Sequence, residues 1–318
     1  MTSFDFLGKA KVARAVSALL IVASILAMVT VGLRPGIDFT SGIQLVIFYP
    51  PGTEVTTEAV RSQVAQLLAD AGTPTTPFYV QSVSADRNGT ALPGKMITAQ
   101  TTSDALMDRL QEAFTRPPAG SGIPTPVLTP AGVPDVSVTR IEPMVTREIR
   151  DRAWQAILIA LGAMLIYIAW RFRLRYGVAA VVALIHDVVI TLGVFAVSGL
   201  EFNLPVIAGL LTVVGYSLNA TIIIFDRVRE NARTTRKASF AENVNRAINQ
   251  TLTRTVNTGV TTLIPIIILF VFGGLPLRGL ALAMLMGVVV GTYSSIFIST
   301  STVYAWNLVA ERARARRR

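Results

Sequence analysis

The sequence has no cysteine and a single histidine, His186. The first absence excludes a disulfide framework and a thiolate metal site. The second excludes a multi-histidine metal centre. Charge is scarce as well: 15% of the 318 residues are Asp, Glu, Lys or Arg, where a soluble domain carries roughly a quarter. No G-x-x-x-x-G-K-[ST] run and no Gly-rich phosphate loop occurs. Ser-His-Asp and zinc-protease signatures are missing too. The expectation is a chain without cofactor or metal, not an enzyme, whose work draws on something other than its own nucleotide hydrolysis.

What is present is apolar. Hydrophobic residues make up 52% of the chain and the mean hydropathy is +0.54. The excess sits in long uncharged runs, the signature of an integral membrane protein. Six spans are read, at about 12–33, 153–170, 176–198, 204–225, 255–272 and 279–306. A cleaved signal peptide competes for the first, but the run is long and no small-x-small site precedes "RPGIDF". Basic clusters at 9–14, 171–175, 227–246 and 312–318 all fall on one side of this topology. The positive-inside rule then places both termini in the cytoplasm. It also accounts for the net charge of +10 without nucleic acid. The basic tail reads as an anchor near anionic headgroups.

Residues 36–145 differ in composition: polar, rich in Pro, Gly and Thr, and external by topology. Strands are expected at 42–50, 77–85, 94–101 and 135–143, with "DRNG" in a turn. Helices are expected at 56–72, with Val60, Val64, Leu67 and Leu68 on one face, and at 103–114, capped by Ser103. The order β-α-β-β-α-β is that of the ferredoxin-like split βαβ fold. The fold class is therefore an α-helical integral membrane protein of six transmembrane helices with a small external α+β domain. Its parts are 1–35 (cytoplasmic N-terminus and first helix), 36–145 (external domain), 146–306 (a five-helix bundle with a basic cytoplasmic loop at 227–253) and 307–318 (a basic tail).

Polar residues inside spans are costly and are functional candidates by default. His186 and Asp187 sit near the middle of the third span, with Thr191 one turn on. They read either as a proton or ion relay or as a paired acid that locks helices together. In the fourth span Thr212, Gly215, Tyr216 and Asn219 form one stripe that leads to Asp226, with Ala220 one turn from Tyr216. In the fifth, Thr251, Thr255, Thr258 and Thr262 form another beside Arg254, for which snorkelling and a buried ion pair are the two readings. The sixth holds "GVVVG" (287–291), a close-packing pattern, followed by Thr292, Ser295, Ser299 and Thr302. These polar faces are expected to meet in the bundle interior.

"GIDFTSG" (36–42), "HDVVITLG" (186–193), "GYSLN" with "DRVREN" (215–231), "TLTRT" (251–255) and "FGG" (272–274) occur in order. Together they resemble the SecF group of the SecD/SecF family of bacterial protein-export membrane proteins, in the resistance-nodulation-division superfamily. Gly36, Asp38, Phe39 and Gly42 fall in the first motif; Asp226, Arg227, Arg229 and Glu230 fall in the third. The resemblance implies a multi-pass protein of the bacterial inner membrane that pairs with SecD. It implies work with the SecYEG channel and SecA, drawing on the proton-motive force to move unfolded preprotein. It also implies a proton pathway through the position of Ala220 and Arg254 with an Asp of SecD, to which the polar faces read above add Tyr216, Asn219, Thr255, Thr258, His186 and Asp187 as candidates. One departure stands out. The family pattern has Asp directly after the Asn, as the proton carrier, and here Ala220 occupies that place. Either the carboxylate was removed by engineering, the reading that the intact surroundings favour, or a natural subunit has lost it. A proton-coupled exporter of small molecules or lipids is the alternative function, and a membrane scaffold a third.

Overall fold

The chain, as a computed structural model, is described over residues 4–87, 90–118, 123–129, 132–141, 143–234 and 238–315. Part of the "DRNG" turn, parts of the 116–133 loop, Arg236, Lys237 and residues 316–318 of the tail lie outside these. Two compact units emerge: Pro35–Gln155, and a second made of Met1–Arg34 with Ala156–Arg318.

In the Pro35–Gln155 unit, a single turn α2 (Ile37–Thr40) leads into strand β2 (Gly42–Phe48), after the two-residue β1 (Arg34–Pro35). Helix α3 (Thr57–Asp70), strands β3 (Phe78–Arg87) and β4 (Thr90–Ala99), helix α4 (Asp104–Thr115) and strand β5 (Val136–Ile141) follow. The sheet is antiparallel in the order β3-β4-β2-β5. Alternation along β2 sends Ile43, Leu45 and Ile47 into one core with Val60, Val64 and Leu68 of α3 and Leu106, Leu110 and Phe114 of α4. Both helices begin on caps legible in the sequence. Thr56 Oγ1 accepts from Ala59 N, and Ser103 Oγ from Leu106 N.

The "GIDFTSG" motif is the entry to this sheet. Ser41 adopts φ 60° and Gly42 φ 139°. A Cβ at Gly42 would stand 2.1 Å from the Ala99 carbonyl oxygen, so only glycine lets β2 start beside β4. Lys95 of β4 is 6% exposed. Its ammonium donates to Thr57 Oγ1 at 2.8 Å and Ser82 Oγ at 2.7 Å, with no carboxylate among these partners. Burial lowers its pKa.

The second unit carries the long helices α1 (Ala10–Thr30), α5 (Pro143–Arg171), α6 (Leu174–Ser198), α7 (Leu204–Thr234), α8 (Phe240–Phe272) and α9 (Gly274–Ser294), with the two-residue β6 (Glu201–Phe202) before α7. A π-helical turn, Ser295–Ser299, joins α9 to α10 (Thr300–Ala315). Among the described residues six helical stretches are long and apolar enough to cross a membrane: Ala10–Thr30, Arg150–Arg171, Leu174–Ser198, Leu204–Thr234, Phe240–Phe272 and Leu277–Ala313. Large apolar side chains such as Val29, Ile159, Ile166 and Trp170 lie exposed on them, as contact with lipid tails allows. α7 packs on α9 and α8, and α6 on α1 and α9.

The "GVVVG" stretch makes the α7–α9 approach possible. A Cβ at Gly287 would lie 2.0 Å from a methyl of Val213, and one at Gly291 would lie 3.0 Å from Ser217 Cβ. The expected loop at 227–253 is largely helical instead. α7 runs on to Thr234, and α8 starts at Phe240 from a capping box in which Ser239 and Glu242 bond reciprocally. Side chains lock these two extensions together. Gln250 Oε1 accepts from Arg227 Nε at 2.7 Å and Asn231 Nδ2 at 2.8 Å, and Asn243 Nδ2 donates to the Val228 carbonyl.

Candidate functional site

Two polar clusters occupy the helical unit, and they differ in burial. The first centres on Asp187 of α6, 1% exposed beside His186 at 3%. Ser217 of α7 donates to Asp187 Oδ2 at 2.6 Å, and Ser294 of α9 donates to the same oxygen at 2.8 Å. His186 Nδ1 lies 2.9 Å from Oδ1. Both serine hydroxyls thus bond to Oδ2, and Oδ1 is left to the imidazole. His186 Nε2 is buried without a protein partner, and the ring stacks on Tyr293 at 6.2 Å. Tyr293 Oη in turn donates to the Ala13 carbonyl at 2.8 Å and accepts from Ser17 Oγ at 3.1 Å. One buried network thus ties α6, α7 and α9 to α1.

Sequence reading named His186 and Asp187 but missed Ser294, Tyr293 and Ser17. A signal for Ser294 was available, since it follows Gly287 and Gly291 at helical spacing on the face that meets α7. Thr191, expected beside the Asp187 side chain, donates to the Asp187 backbone carbonyl at 2.8 Å. Ser295 and Ser299 likewise bond to carbonyls of their own helix.

The second cluster surrounds Ala220. Tyr216, Asn219, Ala220 and Ile223 of α7 and Thr255 and Thr258 of α8 line a cavity of about 10 Å³, close to the space one water needs. Thr255 Oγ1 and Thr292 Oγ1 are buried without protein partners. Gly259 of α8 faces both neighbouring helices here: a Cβ on it would stand 3.5 Å from Thr292 Oγ1 and 3.6 Å from Tyr216 Oη, ordinary contact distances.

This cluster does not sit in the interior as expected. Ala220 and Thr255 are buried, but Thr212, Gly215, Asn219, Arg254 and Thr258 are exposed on the surface of the chain. Arg254 has no ion pair among the described residues, which corrects the buried-pair reading. The reason is angular. Thr255 points at α7, and Arg254, about 100° round the helix, falls on the flank. The threonines also form less of a polar wall than their spacing suggests. Thr251, Thr258 and Thr262 donate to the carbonyls of Ala247, Arg254 and Thr258.

At the basic end of the bundle the "DRVREN" side chains are engaged. Arg171 Nη2 donates to Asp226 Oδ2 at 2.6 Å, Arg229 lies 3.6 Å from Asp226 Oδ1, and Arg227 Nη1 reaches Glu230 at 2.7 Å. Asp226 is thus a paired carboxylate within α7, six residues along the helix from Ala220. Gly36, Asp38, Phe39 and Gly42 lie in the Pro35–Gln155 unit at the start of the sheet, where their place is architectural.

Comparison with known proteins agrees with these motifs. Residues 129–309 match the family described as protein export membrane protein SecD/SecF, C-terminal, and residues 26–47 match the SecD/SecF GG motif. Protein translocase subunit SecF of Desulfurispirillum indicum is 39% identical, over 92% of this chain and 88% of the relative. The Pseudomonas aeruginosa SecF is 35% identical, over 97% and 93%. The crystal structure of SecDF, a translocon-associated membrane protein from Thermus thermophilus, matches with a TM-score of 0.78 at 35% identity, covering 96% of this chain. The chain spans only 39% of that longer protein. It belongs to the SecD/SecF family of protein-export membrane proteins, on the SecF side of it, and is a transport component rather than an enzyme.

Proposed function

We propose that this chain is the SecF subunit of a SecD–SecF unit that draws on the proton-motive force to promote preprotein translocation and release through SecYEG, alongside SecA. The observation that carries this reading is the exposed polar face of α7 and α8. Asn219 and Arg254 face outward, and Ala220 lies six residues, or about 9 Å along the helix axis, inside the boundary marked by Asp226. Amide and guanidinium groups facing hydrocarbon are costly. A second bundle with a polar face of its own, laid against this one, removes that cost. The SecDF relatives, in which one chain is more than twice as long, fit such a pairing.

In the same reading both termini and the 227–253 hairpin are cytoplasmic, within the inner membrane. The 36–145 domain is external and contacts preprotein. Its strand order β3-β4-β2-β5 supports the ferredoxin-like assignment. The 146–306 bundle carries the pathway, and 307–318 forms the basic tail.

Ala220 makes that pathway defective. A carboxylate there would pair with a cation when ionised and release it when protonated; a methyl group does neither. Proton flux through the chain reconstituted with its SecD partner is therefore low and rises in Ala220→Asp. Equal flux in the two proteins would refute the role of position 220 and move the pathway to Asp187.

A further inference from the structure

The basic end of the bundle holds a cavity of about 320 Å³ lined by Arg171, Asp226, Arg229, Glu230, Arg233 and Thr234. Three guanidinium groups meet two carboxylates there, and both carboxylates are occupied. Asp226 is held between Arg171 and Arg229, and Glu230 by Arg227. Arg233 is exposed and has no ion pair among the described residues. The lining therefore keeps a positive charge that no carboxylate within it neutralises.

Depth fixes what can reach this charge. From Leu204 to Asp226 the helix rises about 33 Å, one bilayer core. Arg229 and Arg233 stand about 4–10 Å beyond, at headgroup level. Trp170, 84% exposed, immediately precedes Arg171. An exposed Trp at a span end marks the boundary between acyl chain and headgroup.

We infer that this cavity binds the phosphate of an anionic phospholipid headgroup, with Arg233 as its free cation and the acyl chains lying along Trp170. The recognised chemistry is a phosphate monoanion or diester, and the adjoining apolar surface selects a lipid over a soluble ion. The site is separate from the Ala220 cluster and does not depend on the proton pathway.

The test uses the full chain in phosphatidylcholine vesicles. Trp154→Phe with Trp306→Phe leaves Trp170 as the only tryptophan of three. Quenching of Trp170 by brominated phosphatidylglycerol is compared with quenching by brominated phosphatidylcholine. The expected preference for the anionic lipid is about fivefold, one cation's worth near a charged surface. Arg233→Gln reduces it to near unity, Arg233→Lys retains most of it, and Arg312→Gln, outside the lining, leaves it unchanged. Equal quenching by the two lipids, or a preference that survives Arg233→Gln, overturns the inference. Inorganic phosphate at constant ionic strength is the last arm. If millimolar phosphate erases the preference, the ligand is a soluble phosphate and the lipid assignment is wrong.

Discussion

Replacing Asp187 separates a helix lock from a titrating group. In Asp187→Ala three groups lose their acceptor at once: the hydroxyls of Ser217 and Ser294 and the Nδ1 of His186. Interhelical hydrogen bonds in membrane proteins contribute about 0.6–1.7 kcal/mol each, so the combined loss is about 2–5 kcal/mol. All three groups are buried, and no solvent replaces the acceptor. In Asp187→Asn the amide oxygen still accepts from both serines, and the amide nitrogen donates to Nδ1 of neutral His186. That variant therefore stays within about 1 kcal/mol of the parent. The assay is reversible denaturation of the purified chain in detergent, followed by tryptophan emission. Two results refute the reasoning: an Ala variant as stable as the parent, or an Asn variant as unstable as the Ala one. Gradient-dependent proton flux, measured with the Asp187 changes placed in the Ala220→Asp background, then completes the test. If Asn preserves stability and flux together, the cluster only locks helices; if it preserves stability and abolishes flux, the carboxylate itself titrates.

Three further predictions concern the Pro35–Gln155 unit. Because burial lowers the Lys95 pKa, the unfolded state binds more protons below the ordinary value of about 10.5. Stability rises with pH through that window as the buried ammonium becomes neutral. Lys95→Met removes this contribution to the slope in urea melts carried up toward pH 10.5. Tyr49 has the opposite sign, since burial raises its phenol to about 12. Its hydroxyl stays protonated in the fold, and its contribution is lost between pH 10 and about 12. One of the seven tyrosines should then ionise last at 295 nm, a late step absent from Tyr49→Phe. Gly42→Ala strains the positive-φ entry to β2 and drives a methyl onto the Ala99 carbonyl. It costs roughly 1–3 kcal/mol from the backbone alone, seen as a lowered melting temperature.

The strands and helices of the Pro35–Gln155 unit were legible because each carried its own local signals. β2 alternates, and the helices open on Thr56 and Ser103. The 227–253 segment is read from sequence as a loop because its basic cluster lies between two apolar spans. Its helical signals were present all the same: "SFAE" at 239–242 is a capping box, and Arg227 with Glu230 is an i,i+3 pair. Local charge favours a loop only when no neighbouring helix offers partners, and Gln250 offers one here.

The harder error concerned the polar stripes. Helical periodicity places Asn219 on a stripe of α7 and Arg254 on the flank of α8, but says only that these faces avoid lipid. It does not say whether a face is satisfied within its own chain or by another. Asp187 and Arg254 look alike in sequence, as charged residues among apolar and hydroxyl neighbours. In the fold Asp187 gathers Ser217 and Ser294, whereas Arg254 faces outward with no ion pair among the described residues. The difference comes from small residues. Gly287 and Gly291 let α9 approach α7 closely enough for Ser294 to reach the carboxylate. Around Arg254 the exposed positions on α8 include Thr253, Val256, Asn257 and Thr258, and no helix among the described residues covers them. A charged stripe accompanied on a facing helix by glycines at i,i+4 marks an internal lock. A charged stripe without such a partner marks a surface that another bundle must complete.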